Sequence, residues 1–293
     1  MFNNKKEIED WLNKLEVKKY IINDNLVVDV IASVDIQSDN LKYLPVKFGH
    51  VTGSFSCAFS SLISLKGSPD RVDGHFDCSH NSLNSLKYLP PIIGSYLNCS
   101  NNELISLKFC NPIVNGGFYC KNNKLKTLEF GPTEVDGDFD CSMNKLKSLT
   151  YSSLIIKGSY FCRDNKIVSL KGCPFEINGE LNCTHNKLTS LDGVGIVRGT
   201  VNCEFNKIKT LKSSLQYVDG NILINANLVD IDSNLKYLGG ELIHTNSKKI
   251  SGFEEYYNGD EMNLPRKVMN SILLEKKLNI DLPLTAKFKK MKI

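Results

Sequence analysis

Cysteine recurs along this chain at a fixed interval. Seven cysteines lie 21 residues apart, from Cys57 to Cys183, and an eighth follows after 20 residues at Cys203. A globular core with irregular connections does not require such a period, whereas a stack of similar coils does, because each coil contacts only its neighbours. The period therefore predicts a solenoid whose function resides on the surfaces that repetition creates.

Each coil repeats the same apolar and polar positions. The unit has an aliphatic residue, Gly two residues later, an apolar residue, Cys, Asn and two Leu or Ile positions, as in VDGDFDCSMNKLKSL from Val135. Phe76 and Cys78 alternate with polar residues, which is typical of a short strand with one buried face. We expect Leu146 and Leu149 to fill the interior as the chain returns.

An asparagine stands three residues after each repeated cysteine from Cys78 to Cys203, giving a row from Asn81 to Asn206, whereas Ser60 takes this place after Cys57. Stacked coils bring these amides into register, where each can hydrogen-bond backbone groups of its own coil and of the next one. Such bonding makes a buried polar row tolerable. We refer to the two rows as the cysteine ladder and the asparagine ladder.

This order of residues resembles the leucine-rich repeat, L-x-x-L-x-L-x-x-N-x-L, with Cys78 at the third apolar position and Asn81 at the asparagine. The resemblance covers about residues 28–253, or about eleven coils, and the short unit looks like a bacterial or phage version. It implies an α/β repeat solenoid, a leucine-rich-repeat arc with parallel β-strands on its concave face. We expect a mostly irregular convex side, because segments such as KYLPP and EFGPT contain Pro or Gly.

The outermost coils depart from this pattern, as expected where stacking stops. Asp39 takes the asparagine place in the first coil, and Asn227 lies out of step near the end.

The segment before the repeats has the pattern of an amphipathic helix. Within residues 4–20, apolar side chains recur at helical spacing with Lys and Glu between them: Ile8, Trp11, Leu12 and Leu15. We interpret residues 1–22 as a helical cap over the first coils rather than a partner-binding helix, because an uncapped solenoid exposes its core. The solenoid itself is predicted to span residues 23–253.

Residues 254–293 are predicted to form a C-terminal helical cap and a basic tail. Pro265 suits the first turn of a helix over residues 265–278. Eight basic and two acidic side chains lie between Arg266 and Ile293. This charge would suit nucleic acid, an anionic membrane or an acidic protein, although a solvated terminus is the simpler interpretation.

Ten cysteines would suggest disulfides in a secreted chain. Side chains stacked in register lie farther apart than a disulfide prefers, so we interpret the ladder thiols as reduced and buried. Met1 to Lys19 has no apolar core of a signal peptide, and no stretch reaches transmembrane length. We therefore expect a cytoplasmic protein that does not use a membrane, with Cys110 and Cys173 more exposed than the ladder.

The sequence shows little sign of catalytic chemistry. It has no phosphate-binding glycine loop, no zinc-type cysteine pair and no nucleophile elbow. His75, Asp77 and His80 lie in one coil and are a conceivable metal site, but two imidazoles and a carboxylate on a flat sheet usually bind nothing. We predict a protein that is not an enzyme, with no cofactor and no metal.

The outward positions of the predicted strands form the candidate interface. Tyr, Phe and Arg dominate interface energies, and their exposure on a strand face is costly unless a partner covers them. Carboxylates beside them predict a partner protein with basic and apolar features. The alternative interpretation is that the aromatic rings stack on one another along the sheet. The candidate residues are Tyr96, Tyr119, Lys121, Asp138, Asp140, Met143, Phe161, Arg163, Asp164, Glu180 and Phe205.

A row of lysines follows the asparagine ladder by one residue. Such a row can track phosphates, or it can keep a repetitive protein soluble. We favour solubility, and we do not expect nucleic acid as the partner, because no aromatic residues interleave with the lysines to stack on bases. The lysines are Lys124, Lys145, Lys166, Lys187 and Lys207.

We expect a non-enzymatic module that binds another protein through its concave face. The alternative is an anion or nucleic-acid binder that uses the lysine row and the basic tail, and a third interpretation is a purely structural component. Lysine outnumbers arginine by 32 to 4, which suits AT-rich coding DNA. With the resemblance, this suggests a phage or low-GC bacterial source, and a phage-encoded solenoid would inhibit a host defence protein in the host cytoplasm. Self-association through the aromatic strip stays open.

Overall fold

The computed structural model describes residues 1–38, 40–225 and 234–244. The chain divides into two units, Met1–Phe253 and Glu254–Ile293. The predicted C-terminal helix and basic tail lie outside the described residues, as do Asp39 and Asn227 of the outer coils.

The described part of the chain has one helix, followed by short strands. In chain order the elements are α1 (Lys5–Lys14), β1 (Tyr20–Ile22), β2 (Val27–Val30), β3 (Val34–Asp35), β4 (Lys47–Val51), β5 (Phe55–Ser56), β6 (Arg71–Val72), β7 (Phe76–Asp77), β8 (Ile92–Ile93), β9 (Leu97–Asn98), β10 (Ile113–Val114), β11 (Phe118–Tyr119), β12 (Glu134–Val135), β13 (Phe139–Asp140), β14 (Ile155–Ile156), β15 (Tyr160–Phe161), β16 (Glu176–Ile177), β17 (Leu181–Asn182), β18 (Ile196–Val197), β19 (Val201–Asn202), β20 (Tyr217–Val218), β21 (Ile222–Ile224), β22 (Tyr237–Leu238) and β23 (Leu242–His244).

The odd-numbered strands from β3 to β23 form one 11-stranded sheet, which we call the long sheet. All its pairings are parallel and in register, so that Phe118 pairs with Leu97 on one side and with Phe139 on the other. Successive strands start 21 or 20 residues apart. The chain is therefore a parallel β-solenoid with coils of about 21 residues, as the cysteine period predicts.

The even-numbered strands lie one corner earlier in each coil and form shorter parallel sheets. These contain β2, β4, β6 and β8, then β10, β12 and β14, then β16, β18, β20 and β22, and β1 pairs antiparallel with β2. No helix occurs in the described return from the long sheet to the next coil. The expectation of a mostly irregular opposite side agrees with this.

Aromatic and aliphatic side chains from successive coils fill the interior. Phe118 and Phe139 have ring centroids 5.3 Å apart, and Phe139 and Tyr160 have the same separation. All three are almost fully buried. The Tyr160 hydroxyl lies 2.8 Å from Ser152 Oγ, so its polar atom has a partner within the core. Leu146 and Leu149 are fully buried, as predicted.

All ten cysteines are free thiols, and the eight of the ladder are fully buried. Burial raises the pKa of the ladder thiols, for Cys183 to about 12. Cys110 is half-buried, and burial raises the pKa of its thiol to about 12. Cys173 is buried, with 8% of the residue exposed against 0% for the ladder cysteines, so it exceeds the ladder in exposure only slightly.

The asparagine ladder closes each coil against the preceding one. Asn102 Nδ2 donates to the carbonyls of Cys78, Cys99 and Ser100 at 3.0–3.2 Å. Its Oδ1 accepts the Leu83 N–H at 3.0 Å. The same pattern recurs along the row, so the predicted bonding to two coils is confirmed, with the preceding coil as the neighbour.

Helix α1 is shorter than the 4–20 segment predicted from apolar spacing. The Asn4 side chain caps it by accepting the Glu7 N–H at 2.9 Å. The helix ends at Lys14, because Glu16 and Lys19 adopt φ angles of 55° and 59°, which a right-handed helix excludes.

One face of α1 is apolar and packed. Ile8 and Leu12 are buried, and the Trp11 ring centroid lies 6.3 Å from that of Phe48 in β4. The helix thus packs on an early coil, and its role as a cap stays a prediction.

We predict that Asn144→Ala lowers the free energy of unfolding by about 3 kcal/mol or more, because it strands three buried carbonyls and one buried N–H. The matched control is Asn122→Gly, which removes an exposed amide beside Asn123 in the preceding coil and suits the φ of 52° at that position. Urea unfolding measures both. Equal, small effects of the two substitutions would contradict the role of the ladder.

We also predict that the free energy of unfolding decreases at alkaline pH. Burial keeps the ladder thiols protonated in the folded state, whereas unfolded thiols ionise near their usual pKa of about 8.5. The free energy of unfolding is therefore fully retained below about pH 8 and decreases above it, by up to about 1.4 kcal/mol per pH unit for each thiol. Urea unfolding between about pH 8 and about pH 10 measures the slope. Cys141→Ala should make it shallower, and an unchanged slope would refute the assignment to thiols.

Candidate interaction surfaces

The first surface is formed by the outward side chains of the long sheet and the residues that follow each strand, and we call it the sheet face. It carries seven carboxylates against Lys121 and Arg163, a net charge of −5. All the predicted site residues lie on it. Its segments are 33–38, 54–59, 75–80, 96–101, 117–122, 138–143, 159–164, 180–185 and 200–205.

Two of the predicted aromatic residues contact each other. The Tyr96 ring stacks on His75 with centroids 4.3 Å apart and meets the Tyr119 ring edge-on at 6.0 Å. Burial raises the pKa of both tyrosines, which are half-buried. Stacking along the sheet, the alternative interpretation, therefore accounts for part of the exposure that the sequence suggested.

The position of the Tyr119 ring depends on a glycine, Gly117. A Cβ added at Gly117 would lie 2.4 Å from Tyr119 Oη and 2.6 Å from its Cζ, so the ring lies over this glycine. The absence of a side chain at Gly117 lets the ring lie against the sheet.

Of the remaining apolar members, Phe161 is half-buried, and Met143 and Phe205 are exposed. Phe161 lies in the same outward row as Tyr119, with Asp140 between them in register. Met143 is 41% exposed and Phe205 is 54% exposed, the latter stacked on His185 at 4.2 Å. The sheet face thus has a half-buried aromatic cluster and, farther along, exposed apolar groups.

Local hydrogen bonds fix several of the carboxylates. Asp138 Oδ1 accepts the Ser159 N–H at 2.7 Å, and Asp140 Oδ1 accepts the Ser142 N–H at 2.9 Å. Glu180 Oε1 accepts from Asn182 Nδ2 at 3.2 Å.

The two cationic members differ in their contacts. Arg163 Nη1 lies 3.7 Å from Asp164 Oδ2, with both side chains more than a third exposed, so we expect this pair to contribute little to stability. Lys121 is half-buried.

The histidines considered for a metal have other partners. His75 Nδ1 lies 2.8 Å from Ser54 Oγ, and His80 stacks on Phe59 with centroids 4.0 Å apart. Asp77 accepts the Ser79 N–H at 2.8 Å. Within residues 1–38, 40–225 and 234–244, no group of three His, Cys, Asp or Glu residues is placed to hold a metal ion.

The second surface is formed by the seven residues after each asparagine position, where the chain returns from the long sheet. We call these the return segments, and their outward side chains the return face. Thirteen exposed lysines and three acidic residues give the segments a net charge of +10. The segments are 61–67, 82–88, 103–109, 124–130, 145–151, 166–172, 187–193 and 207–213.

Four consecutive return segments end in an exposed aromatic residue in a left-handed conformation. Tyr88, Phe109, Phe130 and Tyr151 have φ angles of 66–77° and are 49–62% exposed. Lys87 Nζ lies 5.1 Å from the Tyr88 ring centroid, and Lys108 Nζ lies 5.4 Å from that of Phe109. We call these four residues the aromatic row.

The sequence interpretation missed the aromatic row, although its signal was present. The strings SLKY, SLKF, TLEF and SLTY recur at 21-residue spacing. Their Ser or Thr shapes the turn: Ser85 Oγ accepts the Lys87 N–H, and Ser106 Oγ accepts the Lys108 N–H, both at 3.1 Å. Such a turn would have placed the aromatic residue beyond the buried leucines, facing outward.

A cavity of about 380 Å³ adjoins the first member of the aromatic row. Tyr88, Pro69 and Pro91 line it, together with Lys47. Lys47 Nζ is held by the Ser68 carbonyl at 2.6 Å and by Asp70 at 2.7 Å, so this cation already has partners.

Comparison with protein-family models, curated proteins and solved structures gives no match for this chain. In the described ranges, no helix has both the length and the apolar character needed to cross a bilayer. The two surfaces therefore have to be interpreted from their own chemistry.

We predict that Gly117→Ala displaces the Tyr119 ring from the sheet, because the new Cβ would overlap it. NMR of ring-labelled tyrosine should then show loss of the contact between the Tyr96 and Tyr119 rings. Tyr119→Phe is the matched control, since it keeps the ring in place. Persistence of the ring contact in the alanine variant would contradict the packing described.

Proposed function

We propose that the chain is a recognition module of the leucine-rich-repeat type, without enzymatic activity, that binds a partner protein through the sheet face. The observation that carries this proposal is the combination of exposed apolar groups with a net charge of −5 on a sheet fixed by inter-coil hydrogen bonds. An ordered surface loses little conformational entropy on binding, which favours recognition.

The partner fitted by this face has basic and apolar groups. Phe161 and Met143 offer apolar contacts near the middle of the sheet, flanked by Asp138, Asp140 and Asp164. Charge complementarity would steer association, while burial of the aromatic groups would supply most of the affinity.

The biological setting belongs to the same proposal. A phage or low-GC bacterial source, action in the cytoplasm and inhibition of a host defence protein follow from the resemblance and composition alone. A second copy of the chain is the simplest competing occupant of the face. Expression in a bacterial host should alter its growth or defence; unchanged growth, defence and protein complexes would remove the inhibitor proposal.

The test of the function is recovery of partners from a host lysate at low and high salt. We expect the wild-type protein to retain a specific protein at high salt, and Tyr119→Ala/Phe161→Ala to lose it by removing two aromatic contacts. Binding of the purified partner should fall at least about tenfold in this variant.

The matched control is Phe109→Gly/Phe130→Gly, which removes two rings from the return face and should retain the partner. Equal binding by wild type and the sheet-face variant would exclude this face. Size-exclusion chromatography of the wild type alone detects self-association.

A further inference from the structure

We infer that the return face binds single-stranded nucleic acid, with lysines contacting phosphates and the aromatic row stacking on unpaired bases. This is a second activity, on a surface separate from the sheet face, and does not depend on the partner protein proposed above.

The aromatic row is not required by the fold. The same position of the coil is occupied by Gly67, Gly172 and Gly193, whose φ angles are 94–120°. Glycine adopts this region without strain, whereas a residue with a Cβ is strained there. Four successive coils nevertheless carry Tyr or Phe, about half exposed. Solubility does not explain exposed rings at strained positions, and such outliers point to function.

The lysines lie in register along the same segments. The N–H of Lys124 bonds the Leu104 carbonyl of the preceding coil at 2.9 Å, and Lys145 bonds Leu125 at 2.8 Å. The row therefore repeats at about the 4.8 Å spacing of stacked strands. Lys124 pairs with Glu103, while the net charge of the return segments stays at +10. A row of this length supplies affinity for a phosphate backbone without reading sequence.

Lysines and aromatic rings occur together at two coils. Lys87 and Lys108 lie directly beside Tyr88 and Phe109, within 5.1–5.4 Å of the ring centroids. The sequence argument against nucleic acid was that no aromatic residues accompany the lysine row after the asparagines. Two of the five return segments that begin with these lysines, 124–130 and 145–151, end in a ring of the aromatic row.

The combination favours unpaired strands over other polyanions. A duplex hides the faces of its bases, so it would use the lysines but not the rings. Acidic proteins and anionic membranes would likewise contact the lysines, but their binding does not require the four exposed rings of the aromatic row. The net charge of −5 on the sheet face would repel a polyanion and direct it to the return face.

The experiment is fluorescence anisotropy of a labelled oligodeoxythymidylate with the full-length protein. We expect Phe109→Gly/Phe130→Gly to weaken binding at least about tenfold, because each stacked base contributes roughly 1–3 kcal/mol. Glycine is the chain's own residue at this position, so the variant should fold, and its urea midpoint verifies this. Tyr119→Ala/Phe161→Ala is the matched control and should bind as wild type.

Lys145→Gln/Lys147→Gln separates the electrostatic contribution. If each lysine contacts one phosphate, the slope of log affinity against log salt should become shallower by about 1.4. The aromatic variant should leave this slope unchanged.

Four outcomes would overturn the inference: no binding at low salt, equal binding of duplex and single strand, full affinity in the aromatic variant, or displacement of the oligonucleotide by anionic vesicles as effectively as by unlabelled single strand. A loss of partner-protein binding caused by the sheet-face substitutions would leave it unaffected.

Discussion

The stacking of the coils depends on the asparagine ladder, because most strands of the long sheet are only two residues long. Strands this short form few backbone bonds, so each coil needs another means of closing onto its neighbour. The amide of Asn144 joins the Cys120 carbonyl of the preceding coil to the Cys141 and Ser142 carbonyls of its own, and also accepts the Leu125 N–H. Because these groups are buried, their alternative is unsatisfied polarity in an apolar core. The apolar positions fill a volume whose shape these amides define.

The hydrogen bonds between coils also determine the backbone conformation of the residue before each asparagine position. The residue before each asparagine position adopts a φ of 52–55° from Phe59 to Phe205, whatever its side chain. His80, Met143 and Asp164 all occupy this conformation, which is unusual for residues other than glycine. Inter-coil bonds therefore force the backbone, while the outward side chain stays free to vary. Variation at this position supplies much of the chemical individuality of the sheet face without disturbing the stack.

The buried rows were predictable because periodicity alone identifies them. Phe76, Cys78 and Asn81 recur at fixed offsets, and each offset has one physical explanation in a parallel stack. The contacts of Tyr96 were not predictable, since spacing places it on a face but cannot show that its ring lies between His75 and Tyr119. Nor did spacing show where α1 ends, because left-handed residues after Lys14 leave no mark in apolar periodicity. The aromatic row follows from a different signal, because its residues lie in the return turns, outside the strand and asparagine positions that define the repeat.

A single solenoid thus presents two faces of opposite charge, with the cysteine and leucine rows between them. The sheet face has a net charge of −5 over nine coils, and the return face has +10 over eight. Interleaved charges of both signs would have sufficed for solubility, since only net charge and the absence of large patches matter there. Separation of the signs instead favours partners of opposite charge at each face and disfavours partners of like charge there. Because coils repeat in register, one substitution changes a charge at one level of the stack only. We therefore expect the two proposed activities to be removable independently by substitutions on one face.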